Sequence, residues 1–378
     1  MIFIVASLLI DMNVTLMHGF YRNQLARMWI ASLPGFGSQI PLTRLNTTAR
    51  GAPYHLISAP MHIIRKRFGA SKISQENFLF SQLYCGSEST KYRTTDSFPS
   101  GSTILRMPWR SLAQPSVRSS FGIRWCYCCC YCSTSGLGSG CPKSSSRSRM
   151  LIILFEMIAS LLFERKKYRY CCLTDGGHYE SLGVEPLLLR RCKLIVVSDV
   201  TCDPSFDFSD LVRVHQRMRI EHGIRFYEVG VDGEEDIDLV DQRPKPNHWM
   251  CTKHYRMATI VYPKTETHEE SEGLLVYLKP SFTGKENLEC LHYRRKNPEF
   301  PHDSTTNQFF PEEQFEAYRE LEFHIAEQLF HEKLGMRDPA SDQSDGDDPF
   351  RYFGHTINKL KELNERESPK FVDGQGIA

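Results

Sequence analysis

KYRYCCLTDGGHYESLGVEPLLLRRCKLIVVSDV, from Lys167 to Val200, is the stretch that decides the expected fold. It begins with a strand-forming run from Tyr168 to Leu173, which stops at Thr174-Asp175-Gly176-Gly177. Leu182 to Arg191 has the leucines of a helix with an inward apolar side, and Lys193 to Asp199 is a continuous apolar run typical of a buried parallel strand. Strand, turn, helix and strand together predict one βαβ unit.

Two carboxylates follow the two strands of this unit. Ligands of open α/β sheets bind just beyond the carboxyl ends of the strands, so Asp175 and Asp199 are expected at the functional edge. An isolated Asp-Gly pair is more simply explained as a turn, because it is the commonest turn dipeptide. The turn and the functional interpretation of Asp175 are both open at this point.

The block from Thr174 to Asp199 resembles the Asp-Gly-Gly block of patatin-like phospholipases. In the long bacterial-type branch of that family the block reads roughly LSDGGHFENLGLYELLRRRC, and the match is long and ungapped. The resemblance implies a Ser-Asp dyad in which Asp175 activates a serine on a separate Gly-x-Ser-x-Gly elbow, and Gly176 and Gly177 complete the motif. Such a base is needed because a serine hydroxyl is a weak nucleophile until a neighbouring group takes its proton.

Other stretches resemble the same family branch in the same order along the chain. They are Asp11 to Trp29, Ile40 to Leu45, Gly51 to Ile63, Asn77 to Thr95, Gly273 to Gly284 and Asn297 to Glu327. The resemblance implies an α/β fold with a mostly parallel sheet flanked by helices in three layers. It also implies an acyl-ester lipid such as a phospholipid as substrate, no cofactor or metal, and a cytoplasmic or membrane-associated location with peripheral membrane contact allowed.

Two blocks of the family are missing from the sequence. No Gly-x-Ser-x-Gly occurs; in Gly136-Leu-Gly-Ser-Gly140 the serine, Ser139, stands fourth rather than third and follows no strand. There is also no Gly-Gly-Gly-[Ile/Leu]-Arg block, which in the family supplies backbone N–H groups to the oxyanion. Both blocks precede the region that matches Asp11 onward. We therefore expect the chain to correspond to the C-terminal portion of a patatin-like protein, with the first strands of the sheet missing.

Composition limits the other classes of function. The chain has 378 residues, of which 41% are hydrophobic and 24% charged, as in ordinary globular proteins. A formal net charge of +1 argues against a nucleic-acid-binding protein, which needs a concentrated basic surface. The apolar stretches Met1 to Ile10 and Leu151 to Glu164 are too short to span a bilayer, and the second is expected to be a buried helix.

Six of the 13 cysteines are concentrated in one short stretch, and the others are scattered along the chain. It contains Cys126, Cys128, Cys129, Cys130, Cys132 and Cys141. Cys129 and Cys132 have the C-x₂-C spacing of a zinc site, although no second pair follows at a usual distance. A palmitoylated or redox patch is an alternative. A third is an irregular Ser/Cys-rich insert over residues 99–150, where the family-like sequence is interrupted.

The domain organisation follows from these breaks. Residues 1–98 are the N-terminal part of the patatin-like region, 99–150 the insert, 151–335 the C-terminal part of the catalytic domain, and 336–378 an acidic, disordered tail. Within the tail, Tyr352 to Leu363 is predicted to form a short helix outside the core.

Four elements are predicted after the βαβ unit. A helix with Phe208, Leu211, Val212, His215 and Met218 on its inner face ends at Gly223, and His215 is expected to be a packed core residue rather than a ligand. Met257 to Tyr262 and Gly273 to Pro280 are two strands at hairpin spacing. A long amphipathic helix carries Phe315, Tyr318, Leu321, Ile325 and Leu329 at helical spacing and ends at Gly335.

Overall fold

The structure of the protein is a computed structural model. It describes residues 43, 54–67, 70–97, 130–133, 170–173, 179–230, 233–235, 239, 242–244, 249–304, 311–334 and 349–367. Two β-sheets organise this part of the chain. The chain divides into two units. The first consists of Met1–Gly183 with Thr305–Phe309, and the second of Val184–Ser304 with Phe310–Ala378.

The first unit contains a six-stranded sheet in the order β4-β3-β2-β1-β6-β5. Every pairing recorded in it is antiparallel. Its strands are β1 (Ile57–Arg67), β2 (Ala70–Phe80), β3 (Tyr84–Gly86), β4 (Arg93–Thr94), β5 (Cys130–Ser133) and β6 (Tyr170–Leu173), and a short 3₁₀ helix, Thr95–Ser97, follows β4.

The hairpin of β1 and β2 carries the buried apolar residues of this sheet. Ala59 lies opposite Phe78, and both side chains are buried together with Met61 and Phe80. The rings of Phe78 and Phe80 pack with their centroids 4.9 Å apart. At the end of β3, a Cβ on Gly86 would lie 2.3 Å from the carbonyl oxygen of Lys91, so only glycine fits there.

The second unit is built on a five-stranded sheet in the order β7-β11-β10-β8-β9. Its elements are α1 (Glu185–Leu189), β7 (Leu194–Ser198), α2 (Ser209–His222), β8 (Arg225–Gly230), β9 (Gly233–Glu235), β10 (Tyr255–Tyr262), β11 (Ser271–Leu278), α3 (Leu288–Lys296), α4 (Glu312–Ala326), which continues as a π-helix over Glu327–Lys333, and α5 (Pro349–Glu367).

Helices cover both faces of this second sheet. On one face, alternate residues of β10 and β11 pack against α3, α4 and α5 in a core that includes Met257, Val276 and Leu321. On the other face, Tyr277 packs edge-on against Phe208, with ring centroids 6.2 Å apart, at the start of α2. The unit therefore has α/β architecture with a mixed sheet.

The predicted βαβ unit does not form, and this expectation was wrong. Its first strand, β6, pairs antiparallel with β1 and β5, whereas its second strand, β7, pairs in parallel with β11 in the other sheet. The five-residue helix between them, α1, therefore connects strands of two different sheets rather than parallel strands of one sheet. Among the described strands β7–β11 is the one parallel pairing, so neither sheet is mostly parallel.

The elements predicted after this unit are confirmed. β10 and β11 form the antiparallel pair expected from their apolar runs. α2 ends at Gly223, whose φ of 69° is the left-handed conformation of a helix C-cap. The inner face of α2 differs from the prediction in one position: Val214 is buried, whereas the predicted inner residue Val212 is 43% exposed.

Of the two predicted C-terminal helices, the first is confirmed and the second is corrected. The amphipathic helix is observed as α4 with its π-helical extension, and Leu321, Ile325 and Leu329 are fully buried as expected. The helix predicted outside the core is α5, which is longer than expected and inserts the fully buried Leu360 into the core. The Lys359 ammonium also donates to the Leu334 carbonyl oxygen at 3.0 Å, which ties α5 to the end of the π-helix.

Several sequence predictions lie outside the described residues. These include the motif residues Asp175, Gly176 and Gly177, the expected helix from Leu151 to Glu164, and most of the segment 99–150. Within that segment, expected to be irregular, the structure describes the strand β5. None of the described helices combines the length and the apolarity needed to cross a membrane.

Candidate functional site

Asp199 was predicted at a functional edge, and it lies directly after β7 at the carboxyl end of the parallel strand pair. Its side chain is 1% exposed. One carboxylate oxygen accepts hydrogen bonds from the Thr201 N–H at 3.0 Å and the Thr201 hydroxyl at 2.6 Å. The other accepts from the Tyr277 hydroxyl. The ammonium of the fully buried Lys279 lies 3.3 Å from the first oxygen.

This arrangement makes Asp199 a structural residue. A carboxylate has about four lone-pair positions, and those of Asp199 are engaged by Tyr277, Thr201 and Lys279. Burial and the adjacent Asp199 charge raise the pKa of Tyr277, so the phenol stays protonated and keeps donating. The cluster joins the ends of β7 and β11 to the loop that leads to α2, and it offers no free base to a substrate.

Asp175 is the predicted catalytic residue, and its immediate surroundings are outside the described range. β6 ends at Leu173, and the description resumes at Tyr179. Asp175 therefore follows a strand end in sequence, as predicted. On the far side of the motif, the Leu182 N–H donates to the Glu180 carboxylate and closes a turn before α1.

The cysteine-rich stretch contributes β5. The register of β5 and β6 places Cys132 opposite Cys171 and Tyr131 opposite Cys172. Cys129, the partner of Cys132 in the predicted C-x₂-C pair, is outside the described residues. Elsewhere in the described chain the thiols of Cys251 and Cys290 are free and buried, and burial raises their pKa values to about 11 and about 12. Such protonated thiols are packing residues rather than nucleophiles.

A second polar cluster, which sequence reasoning missed, lies in the second unit. His254 immediately precedes β10, Glu286 lies in the loop between β11 and α3, and His324 is on α4. One candidate ligand atom from each residue lies within 4.8 Å of the others. The side chain of His254 is 0% exposed and that of Glu286 is 1% exposed. The histidine–carboxylate cluster, as we name these three residues, is therefore largely shielded from water.

Neighbouring groups hold Glu286 and His254 in place. The Thr283 N–H donates to Glu286 Oε1 at 2.6 Å, the Thr283 hydroxyl to the same oxygen at 3.0 Å, and the Gly284 N–H to Oε2 at 2.9 Å. His254 Nδ1 lies 3.1 Å from the Ser281 hydroxyl. The His254 and His324 rings are nearly perpendicular, with centroids 5.8 Å apart.

The electrostatics of the cluster keep His254 neutral at pH 7. Burial lowers the pKa of His254 to about 4, although the Glu286 carboxylate acts in the opposite direction. His324 Nε2 is buried and has no hydrogen-bond partner in the described structure. Two imidazoles beside a carboxylate form a donor set that suits a metal ion, whereas the Asp199 carboxylate is already paired with Lys279.

Comparison of the chain with family models, with curated proteins and with solved structures finds no match in any of the three. The identity of the chain therefore has to be argued from its own residues.

Sequence signals for the histidine–carboxylate cluster are weak. The three residues are far apart along the chain, so no short spacing motif marks them. Their convergence depends on the pairing of β10 with β11 and on the docking of α4, which are long-range contacts.

Proposed function

We propose that the chain is part of a patatin-like lipid acyl hydrolase that cleaves carboxylic esters of phospholipids or related lipids. In this proposal Asp175 is the base of a Ser-Asp dyad and takes the proton of the serine hydroxyl as that oxygen attacks the acyl carbonyl. The observation that carries the proposal is the long, ungapped resemblance from Thr174 to Asp199.

The position of Asp175 after β6 supports this role. A carboxylate just beyond a strand end can be held firmly by the sheet while its oxygens remain accessible. Gly176 and Gly177 follow it and allow the backbone to turn tightly. Asp199, the other carboxylate of the block, is buried and engaged by Lys279, which leaves Asp175 as the base of the proposed dyad.

The serine of the dyad is the missing part. No Gly-x-Ser-x-Gly occurs in the 378 residues, so the proposal assigns the nucleophile and the oxyanion-binding backbone to sequence outside this chain. The substrate would be taken from a lipid surface, and the reaction needs neither metal nor cofactor.

A second candidate is a homologue without catalytic activity that binds only lipid or a partner. The absence of a serine elbow favours it, because removing one oxyanion donor alone typically raises the barrier by about 2.7–4 kcal/mol.

Two measurements separate these candidates. Mapping the 5′ end of the native transcript establishes whether the encoded protein contains a Gly-x-Ser-x-Gly block before Asp11. If it does, we expect the native protein to react with a fluorophosphonate probe and to release fatty acid from phospholipid vesicles. A native product that has no such block and releases no fatty acid would reject the hydrolase in favour of the inactive homologue.

The chain by itself gives a complementary test. We expect the 378-residue protein to remain unlabelled by the fluorophosphonate probe. Stoichiometric labelling of one of its own serines would contradict the assignment of the nucleophile to sequence outside this chain.

A further inference from the structure

We propose that His254, Glu286 and His324 bind a divalent transition-metal ion, with Zn²⁺ as the best match to the donor set. The inference rests on the geometry of the second unit and is independent of the proposed hydrolase function. In that function the family chemistry uses no metal, so the ion would be an additional feature of this chain.

The hydrogen-bond partners of His254 indicate that its Nε2 carries a lone pair rather than a hydrogen. The Ser281 hydroxyl donates its single hydrogen to the Lys279 carbonyl oxygen at 3.0 Å. It must therefore accept at the 3.1 Å contact with His254, so Nδ1 carries the ring hydrogen. A hydrogen bond from the non-ligating nitrogen is also the usual way in which proteins orient a metal-binding histidine.

The neighbours of His254 Nε2 do not supply a full hydrogen bond to its lone pair. Glu286 Oε1 is 3.4 Å away and only accepts hydrogen bonds when ionised. The Thr283 hydroxyl lies 3.2 Å from Nε2 and 3.0 Å from Oε1, but it has one hydrogen to share between them. His324 Nε2 is buried without a partner. The three ligand atoms therefore converge with acceptor lone pairs that the described neighbours do not fully satisfy.

The spacing of these atoms suits a small ion. Two ligands bound at about 2.0–2.2 Å in a tetrahedral site lie about 3.4 Å from each other. His254 Nε2 and Glu286 Oε1 already have that separation of 3.4 Å. All three ligand atoms lie within 4.8 Å of one another, so binding of one ion by all three requires His324 on α4 to move slightly toward the other two.

Glu286 retains capacity for an ion. Its carboxylate accepts three hydrogen bonds, two from Thr283 and one from Gly284, out of about four lone-pair positions. These bonds fix the orientation of the carboxylate in the same way as the supporting hydrogen bonds of known metal sites. Since His254 and Glu286 are buried and held before an ion arrives, these two ligands require little reorganisation on binding.

The donor set selects the class of metal. Two imidazoles and one carboxylate suit zinc and other first-row divalent ions, whereas calcium and magnesium prefer all-oxygen sites. Three protein ligands leave a fourth tetrahedral position, which a water molecule can fill.

The test uses the full chain without a histidine tag, stripped with chelator and loaded with Co²⁺ as a visible probe. We expect d–d absorption of a tetrahedral ion bound by nitrogen and oxygen, without the charge-transfer band of thiolate ligation. That band separates the histidine–carboxylate cluster from a site in the cysteine-rich stretch. Absence of a nitrogen- and oxygen-bound cobalt spectrum in the folded wild-type protein would overturn the proposal.

Variants test the assignment to residues. We expect His324→Gln to lose one bound Zn²⁺ per chain, or to bind it at least 100-fold more weakly in isothermal titration. The matched control His331→Gln changes an exposed histidine of the adjoining π-helix and should leave binding unchanged. Equal zinc content and affinity in wild type and His324→Gln would overturn the proposal.

Glu286→Gln provides a second variant that keeps the size of the side chain. We expect the same loss of one ion, with circular dichroism used to confirm that the variant is folded. If Glu286→Gln fails to fold, the cobalt spectrum of the wild-type protein decides the question by itself.

Discussion

Replacing Lys279 with methionine tests the structural role assigned to Asp199. The Lys279 ammonium lies 3.3 Å from the Asp199 carboxylate, and the two side chains are 0% and 1% exposed. Methionine keeps most of the apolar stem but removes the charge, so Lys279→Met leaves a buried carboxylate without its cation. Breaking a buried ion pair in this way typically costs about 3–5 kcal/mol.

The hydrogen bonds that remain place the expected loss at the lower end of that range. Asp199 still accepts from Tyr277 and Thr201 in the variant, so we expect the free energy of unfolding to fall by about 3 kcal/mol. For a unit of this size the corresponding fall in Tm is about 6–12 °C. The measurement is urea unfolding followed by far-ultraviolet circular dichroism, with thermal unfolding as a second reading.

A surface pair provides the matched control. Lys264 and Glu269 form an ion pair at 2.9 Å, but their side chains are 67% and 81% exposed. Lys264→Met should therefore cost less than about 1 kcal/mol. The double variant Lys279→Met/Asp199→Asn should be more stable than Lys279→Met alone, because the most deeply buried carboxylate that lost its cation is no longer charged. If Lys279→Met costs no more than Lys264→Met, Asp199 is not held by a buried ion pair and its structural assignment fails.

Two further predictions concern backbone space and pH. Gly86→Ala should lower the Tm of the protein markedly, because the new Cβ would lie 2.3 Å from the Lys91 carbonyl oxygen. In the control Gly183→Ala the new Cβ meets nothing within 4 Å, so the Tm should fall less. Equal falls in Tm would contradict the steric explanation. Burial lowers the pKa of His302 to about 4 from its usual 6.5, so its contribution to stability is present above pH 6.5 and is lost as the pH falls toward 4. His302→Gln should therefore lose about 3 kcal/mol less free energy of unfolding than wild type between pH 7 and pH 4, and parallel pH profiles would show that His302 titrates normally.

Elements with a strong local pattern could be predicted from the sequence. α2 was found because its apolar residues recur at helical spacing and Gly223 supplies the left-handed residue that ends it. β10 and β11 were found because two apolar runs flank a short charged segment. In both cases the residues that decide the structure are neighbours in sequence.

Strand partners could not be predicted in this way. β6 and β7 have the composition of strands, and both form, but β6 pairs with β1 and β5 while β7 pairs with β11. Apolar runs show that a strand is buried without showing which strand lies beside it. The connection from β6 to β7 is long enough for a crossover, so its length could not exclude a βαβ unit.

The candidate sites also differ in whether their residues are neighbours in sequence. Asp175 was predicted from a contiguous motif and stays a prediction, whereas the histidine–carboxylate cluster is assembled from three separate elements. The structural role of Asp199 could not be predicted either, because it depends on the distant residue Lys279. Nothing in the sequence around Lys279 indicates that its side chain is fully buried. A site that is assembled by long-range contacts can be identified only when the fold is known.

The most direct test of the proposed hydrolase is the effect of Asp175→Asn on the longest native product of the gene. An asparagine amide cannot take the serine proton, so fatty-acid release from phospholipid vesicles should fall to background while circular dichroism shows an unchanged fold. The matched control Asp207→Asn alters an exposed carboxylate and should retain wild-type turnover. Wild-type turnover in a folded Asp175→Asn protein would remove Asp175 from the dyad and contradict the proposed function.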